Sequence, residues 1–165
     1  MDNNNQLNKC YSLIKNHDTA VIATSSRASE PHASVVNYFM NEAMEIFFIA
    51  REDAQKFKNI TNNPLTCLVV CTANFSSSVE IKGAAHQLED NAKTTNLLIK
   101  YSEVIRRRNP GPLPIMKYPG SELFLFKMMP HMMTYADFNT SSNVKASILK
   151  YICVQVNKVS FPRTA

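Results

Sequence analysis

Short segments rich in β-branched and aromatic residues recur through the first half of the chain and are separated by polar turns. They cover residues 19–26, 32–40, 44–50, 66–73 and 78–89. Segments of this kind are typical of β-strands. Because most of the connections between them are too short for parallel crossovers, they predict an antiparallel sheet that closes on itself.

Helical spacing of apolar residues interrupts this pattern in three places. The predicted helices cover residues 7–16, part of the segment REDAQKFKNITNNP, and residues 90–106. In the second of these helices, Phe57 and Ile60 share a face, and Asn63 followed by proline ends the helix. Two further strands are predicted in SELFLFKMM and HMMTYADF, which lie on either side of Pro130.

The chain length of 165 residues fits a single domain with its own core. We assign residues 1–138 to this domain and residues 139–165 to a C-terminal tail. The tail begins with the polar sequence NTSSN and continues with ASILKYICVQVNKV, whose secondary structure the pattern leaves open. Its apolar residues predict that it docks on the domain or on a partner subunit.

The composition is that of an ordered, soluble protein, with 45% hydrophobic and 19% charged residues and only 3 glycines. No apolar run reaches the length of a membrane span, and the N-terminal sequence lacks the features of a secretory signal. We therefore expect a cytoplasmic protein with no membrane partner. The four cysteines, Cys10, Cys67, Cys71 and Cys153, include no CxxC pair, which predicts reduced thiols and no metal site.

The net charge of +5 raises the question of nucleic-acid binding. The densest basic cluster, residues 106–108, falls where the third predicted helix ends, and cations are favoured at that end by the helix dipole. No known nucleic-acid motif accompanies the cluster, and the aromatic residues have core-like spacing in strands. We therefore predict that nucleic acid is not a partner.

Lys56 is the most informative single residue of the sequence. If Asp53 caps the short second helix, then Lys56 lies in its first turn, where free amides and the positive end of the dipole disfavour a cation. An anion such as a phosphate beside the helix would account for this lysine. The alternative is an extended surface lysine balanced by Glu52 and Asp53, which is the simpler interpretation of the helix alone.

The predicted strand at residues 32–40 carries His32, Ser34 and Asn37 among its apolar positions. Polar side chains within a sheet need hydrogen-bonding partners. The ordinary interpretation of His32 is an imidazole at the surface or at an interface, and the alternative is a contact with a cofactor or substrate.

Three segments, PHASVVNY, IFFIAREDAQKFKNITNNP and VEIKGAAHQLE, together resemble the FMN-binding split-barrel superfamily that includes pyridoxamine 5'-phosphate oxidase. The later segment GSELFLFKMMPHMMTYADF resembles the closing strands of its smaller members. The resemblance covers residues 15–138. It implies a mainly β fold, an antiparallel six- or seven-stranded split β-barrel with short flanking helices, that forms a homodimer with FMN at the subunit interface.

The resemblance also implies a set of cofactor-binding residues. Lys56 corresponds to the lysine that binds the flavin phosphate in the family. Strand positions that lie along the flavin correspond to Ser34, Val35, Val36 and Asn37, and positions on the next strand correspond to Ile49 and Ala50. Ser78 corresponds to a glutamine near the flavin ring. On this interpretation, the polar side chains of the 32–40 strand face a cofactor.

The sequence departs from the oxidase at the phosphate site. Ser34 and Gln55 each occupy a position where the oxidase has an arginine, and Ala54 replaces a serine. Arg51 is the candidate to compensate for the lost charge. The C-terminal arginine and tryptophan motif of the oxidase has no counterpart in VQVNKVSFPRTA. We therefore expect an FMN-dependent oxidoreductase acting on a small molecule other than the substrate of pyridoxamine phosphate oxidase.

Two other functions stay open from the sequence. Related split barrels bind haem or a deazaflavin, and His32, His86 and His131 are the candidate axial ligands for a haem. A member without cofactor would serve as a dimeric binding or stress-response module. The segment KMMPHMM has the soft ligands that suit Cu(I), but methionine is also an adaptable core residue, and we predict no metal there. The sequence nominates no catalytic residue.

Overall fold

The structure is a computed structural model and describes residues 3–108, 120, 122–138 and 152–155. Its elements in chain order are α1 (Asn3–Lys15), β1 (Thr19–Ser25), β2 (Pro31–Met40), β3 (Ile46–Arg51), α2 (Gln55–Asn62), β4 (Leu65–Cys71), β5 (Ser77–Gln87), α3 (Ala92–Arg108), β6 (Leu123–Asp137) and β7 (Ile152–Gln155).

All paired strands run antiparallel, and six of them close a barrel. The sheet order is β3-β2-β1-β4-β5-β6-β7, and an additional pairing between β3 and β6 completes the ring. One edge of β6 is divided between two partners, because Leu123–Met128 pairs with β3 and Met132–Tyr135 pairs with β7. These features confirm the predicted split β-barrel.

The prediction of two strands around Pro130 is wrong, because β6 is continuous through this residue. Lys82 of β5 pairs with Met132, whereas the next residue, Gly83, pairs with Pro130. His131 is therefore an extra residue in β6, and the strand is bulged there. A bulge accommodates a proline, which cannot donate a backbone hydrogen bond to the ladder.

The C-terminal tail contributes at least one strand to the sheet. β7 pairs with β6 through the register Met132↔Gln155 to Tyr135↔Ile152. The sequence left the secondary structure of this segment open. The remainder of the predicted tail lies outside the described residues.

The main core fills the barrel with alternate side chains from each strand, including Ile22, Phe48, Leu68, Ile81 and Phe126, all fully buried. Helix α1 packs against this core, and the Tyr38 hydroxyl of β2 donates to the carbonyl of Ile14 at 2.7 Å. A second, smaller cluster lies between the outer face of β3 and helix α3. β3 is therefore buried on both faces, which explains its unbroken apolar sequence IFFIA.

No helix among the described residues is long and apolar enough to cross a membrane.

Candidate functional site

The beginning of α2 differs from the prediction. Ala54 is the N-cap residue, and no side chain caps the helix. Asp53, which the sequence nominated as the cap, instead accepts two hydrogen bonds from the Arg51 guanidinium, at 2.9 Å from Nε and 2.6 Å from Nη2. The strong pairing of a carboxylate with a guanidinium competes successfully with capping. As a result, no side chain among the described residues accepts a hydrogen bond from the first-turn amides of α2.

Lys56 lies in this first turn and reaches back to β2. Its Nζ donates a hydrogen bond to Ser34 Oγ at 3.4 Å. Burial lowers the pKa of the Lys56 ammonium below its ordinary value of 10.5. No ion pair with a carboxylate forms at Lys56 within the described part of the chain. The predicted balance of the Lys56 charge by Glu52 and Asp53 is not seen as an ion pair among the described residues, because Asp53 pairs with Arg51 and neither carboxylate pairs with Lys56.

Amide side chains fix α2 to the neighbouring strand. Gln55 Nε2 donates to Asn59 Oδ1 at 2.8 Å, and Asn59 Nδ2 donates to Thr24 Oγ1 of β1 at 3.1 Å. One turn later, Asn63 Nδ2 donates to Ser25 Oγ at 2.9 Å. Asn59 and Thr24 are buried. These bonds set the position of α2 on the sheet and thereby the position of Lys56.

Sequence reasoning missed Thr24 and Asn59 as supports of the site. The available signal was weak. Asn59 lies one turn after Lys56 and next to the core residue Ile60, where a polar side chain requires a buried partner.

His32 also lies at this corner of the barrel. On β2 it shares the barrel-facing side with Ser34, and its register partner on β1 is Thr24. Its carbonyl accepts a bond of 3.5 Å from Thr24 Oγ1. Its Nδ1 atom is buried and has no hydrogen-bond partner among the described residues. We define the phosphate corner as Ser34, Lys56, His32 and the first-turn amides of α2.

The four consecutive β2 residues predicted to follow the flavin point alternately to the two faces of the sheet. Val36 is in the barrel core together with Ser34 on the same side, whereas Val35 and Asn37 are on the outer face. A ligand lying along β2 therefore meets side chains from only one of these pairs and the backbone of the other.

The two predicted residues of β3 also face opposite sides. Ala50 is buried in the barrel core, and Ile49 is buried in the smaller cluster under α3. Neither side chain is open to the phosphate corner. A contact between β3 and a ligand at this site would therefore come from the backbone.

The structure does not bring Ser78 to the phosphate corner of its own chain. Ser78 is on β5, which is separated from β2 by β1 and β4 in one direction around the barrel and by β3 and β6 in the other. At about 4.8 Å per strand spacing, Ser78 and Ser34 lie on opposite sides of the barrel.

Asn37 is held at the other end of β2 by α3 and the start of β1. Its Nδ2 donates to Thr19 Oγ1 at 3.2 Å, and its carbonyl accepts a bond from the Tyr101 hydroxyl at 3.1 Å. Burial raises the pKa of Tyr101 well above its usual range, and the nearby Asp18 carboxylate adds to the rise. Tyr101 is therefore a neutral hydrogen-bond donor that anchors β2.

The outer face of β1, β2 and β4 is apolar and exposed. Val21 of β1 lies between Val35 of β2 and Val69 of β4 in the register. Val21, Val35 and Leu65 are exposed by 43, 66 and 62%. We call this surface the valine face. Exposed apolar patches of this kind are characteristic of interaction surfaces.

The described residues contain no group of three or more His, Cys, Asp or Glu side chains that could hold a metal ion. In the methionine-rich part of β6, Met128 and Met133 are fully buried in the barrel core. Met129 and His131 are exposed on the strand.

The sequence model of the pyridoxamine 5'-phosphate oxidase family matches residues 8–119 of this protein. The chain belongs to this family. The matched part includes the phosphate corner and the valine face. A search of curated proteins found no significant match.

Solved structures of low sequence identity share the fold. General stress protein 26 from Bacillus anthracis is 18% identical, with a TM-score of 0.63 over 90% of this chain and 96% of its own. An FAD-binding protein from Mesorhizobium loti is 12% identical, with a TM-score of 0.63 over 78% of this chain and 90% of its own. The haem storage protein HutZ from Vibrio cholerae is 15% identical, with a TM-score of 0.56 over 79 and 91% of the two chains.

Proposed function

We propose that this protein binds FMN, with the phosphate held at the phosphate corner, and that it is an FMN-dependent oxidoreductase acting on a small molecule. The observation that carries the proposal is the half-buried Lys56 ammonium, which has no carboxylate partner in the described part of the chain. A buried charge without a counter-charge is costly. A bound phosphate would remove this cost.

The geometry around Lys56 suits an anion in a second respect. The described residues provide no side-chain cap for helix α2, so the amides of the first turn, which also carries Lys56, are available to an anion. Amides at a helix N-terminus and a lysine together form a phosphate site that is common in proteins. Ser34 Oγ, at 3.4 Å from Lys56 Nζ, is a further hydrogen-bond donor for a phosphate oxygen.

Bound FMN supplies the redox chemistry, and the protein residues bind and orient it. Lys56 and Ser34 would hold the phosphate, while β2 would align the rest of the molecule. Tyr101 fixes the far end of β2 by its hydrogen bond to the Asn37 carbonyl. Membership of the oxidase family and the likeness to an FAD-binding protein support a flavin as the cofactor.

We further propose that the protein is a homodimer joined through the valine face. The exposed apolar row across β1, β2 and β4 supports this proposal, because such a row is stabilised by burial against a second apolar surface. A dimer also offers a role for Ser78, since this residue lies across the barrel from Lys56 and would reach a flavin only from the partner subunit. The cytoplasmic location stays a prediction.

The test is an equilibrium titration of the apoprotein with FMN, followed by the quenching of flavin fluorescence. We expect Lys56→Ala to weaken FMN binding about 10- to 100-fold, because it removes a charge-assisted hydrogen bond to the phosphate. Lys58→Ala is the matched control, since Lys58 is exposed on the same helix and its loss should leave the affinity unchanged. Equal FMN affinity in wild type and Lys56→Ala would contradict the proposed site.

A further inference from the structure

The phosphate corner has less positive charge than its proposed ligand requires. A phosphate monoester carries a charge of about −1.5 to −2 at neutral pH. Lys56 contributes one positive charge. Arg51, the candidate to compensate, holds Asp53 with its guanidinium at 2.6 and 2.9 Å. A further hydrogen-bond donor beside the lysine would therefore strengthen a site whose other donors, Ser34 Oγ and the first-turn amides of α2, are uncharged.

The position of His32 allows it to supply this further hydrogen-bond donor. It lies two residues before Ser34 on the same side of β2, so the two Cα atoms are about 6.6 Å apart. Thr24, its register partner on β1, accepts the hydrogen bond from Asn59 of α2. The His32 side chain is therefore on the side of the sheet that α2 covers and on which Lys56 meets Ser34.

The Nδ1 atom of His32 is buried without a hydrogen-bond partner among the described residues. Buried polar atoms are nearly always paired, because an unpaired one loses its bonds to water without replacement. The imidazole can carry a proton on Nδ1, and it then becomes a donor. A buried nitrogen without a hydrogen-bond partner, on the same side of the sheet as an ammonium without a carboxylate partner in the described part of the chain, is the arrangement expected of an anion site that is complete only with its ligand.

We propose that His32 donates a hydrogen bond from Nδ1 to the phosphate of bound FMN and so completes the site of Lys56 and Ser34. This inference rests on the proposed function. It makes His32 a residue that selects for the phosphorylated form of the flavin. Riboflavin, which has the same ring system and no phosphate, gains nothing from this contact.

Three substitutions test the role of the individual nitrogen atom. The side-chain amide of asparagine superposes on Nδ1 of histidine, that of glutamine reaches the position of Nε2, and leucine fills the space without a polar atom. We expect His32→Leu and His32→Gln to weaken FMN binding about 10- to 100-fold, and His32→Asn to retain most of the affinity. Riboflavin affinity should be the same in all four proteins.

The controls separate this inference from the proposed function. Thermal unfolding of each variant shows that the barrel is folded before its affinity is measured. If wild type binds FMN and His32→Leu binds it equally well, the role of His32 is refuted while the FMN site stands. Equal losses for FMN and riboflavin would also refute it, since the effect would not involve the phosphate. If wild type binds no FMN, both proposals fail together.

Discussion

At the scale of the residue, Lys56 connects the sequence to the proposed function. Its position in the first turn of an uncapped helix is unfavourable for a cation, and its burial lowers the pKa of the ammonium. Both features become favourable when a dianion is bound, because the anion raises the pKa of the neighbouring ammonium. The arrangement of Lys56 in the free protein is therefore one that a bound anion would stabilise.

The lowered pKa of Lys56 predicts how FMN binding depends on pH. In the complex, the pKa is higher than in the free protein. The contribution of Lys56 to the affinity is thus constant below the pKa of this lysine in the free protein, which lies under 10.5, and falls as the pH rises from there towards its pKa in the complex. We expect this fall in dissociation constants of the wild type measured at successive alkaline pH values.

Lys56→Arg is the matched control for this experiment. A guanidinium stays protonated throughout the alkaline range, so the fall that is due to Lys56 should be absent from its profile. Parallel profiles for wild type and Lys56→Arg would mean that another group titrates.

His32 and Ser34 show which part of the candidate site could be predicted from single residues. The sequence suggested a cofactor for all three polar residues of this strand, whereas the structure puts His32 and Ser34 on the barrel-facing side and Asn37 on the other face. The partner of Ser34 is Lys56, 22 residues later in the chain, and the bond depends on where α2 sits on the sheet. Thr24 and Asn59 set that position, and their pairing across 35 residues has no local signal.

At the scale of the element, local pattern predicted the first five strands and the three helices because each has a clear local signal, either a short run rich in β-branched and aromatic residues or apolar residues at helical spacing. It failed where two local signals compete. Pro130 normally ends a strand, but a bulge opposite Gly83 keeps β6 continuous. Asp53 is a good cap, but Arg51 binds it more strongly than the helix amides do.

The β6 bulge requires a residue without a side chain at the facing position of β5, which is Gly83. A Cβ atom on Gly83 would lie 2.4 Å from the carbonyl oxygen of Met129 and 2.8 Å from Cε of Met128. We expect Gly83→Ala to lower the free energy of unfolding by about 1–3 kcal/mol, because the backbone of β6 has to move. Denaturant unfolding measures this change.

The neighbouring residue Ala84 provides the comparison, since it is half-buried on the outer face of β5. Ala84→Ser should change the free energy of unfolding by no more than about 0.5 kcal/mol. Equal stabilities of wild type and Gly83→Ala would show that β5 and β6 do not approach each other so closely.

At the scale of the whole molecule, closure of the barrel decides which predicted residues can act together. The pairing of β3 with β6 puts β5 opposite β2, so Ser78 and Lys56 are separated within one chain. Sequence pattern predicts strands one at a time and contains little information on which strand closes the ring. Closure of the ring therefore puts Ser78 on the far side of the barrel from Lys56, while the alternation along each strand divides the predicted residues of β2 and β3 between the two faces of the sheet.

The valine face leads to a prediction about assembly. Val35 belongs to this face and is 66% exposed, so Val35→Glu should introduce a charge into the proposed interface and produce a monomer. Met129→Glu makes the same change at an exposed position of β6, which lies across the barrel from β1, and should leave the dimer intact. Sedimentation velocity of the two variants distinguishes them. A dimeric Val35→Glu protein would place the interface elsewhere.

The most direct test of the account is the absorption spectrum of the protein purified without added cofactor, recorded again after incubation with FMN, with mass spectrometry of any released compound. We predict flavin absorption bands and the mass of FMN. A Soret band would identify a haem protein instead and contradict the flavin site. A colourless protein that also fails to bind added FMN would show that the phosphate corner does not hold this cofactor.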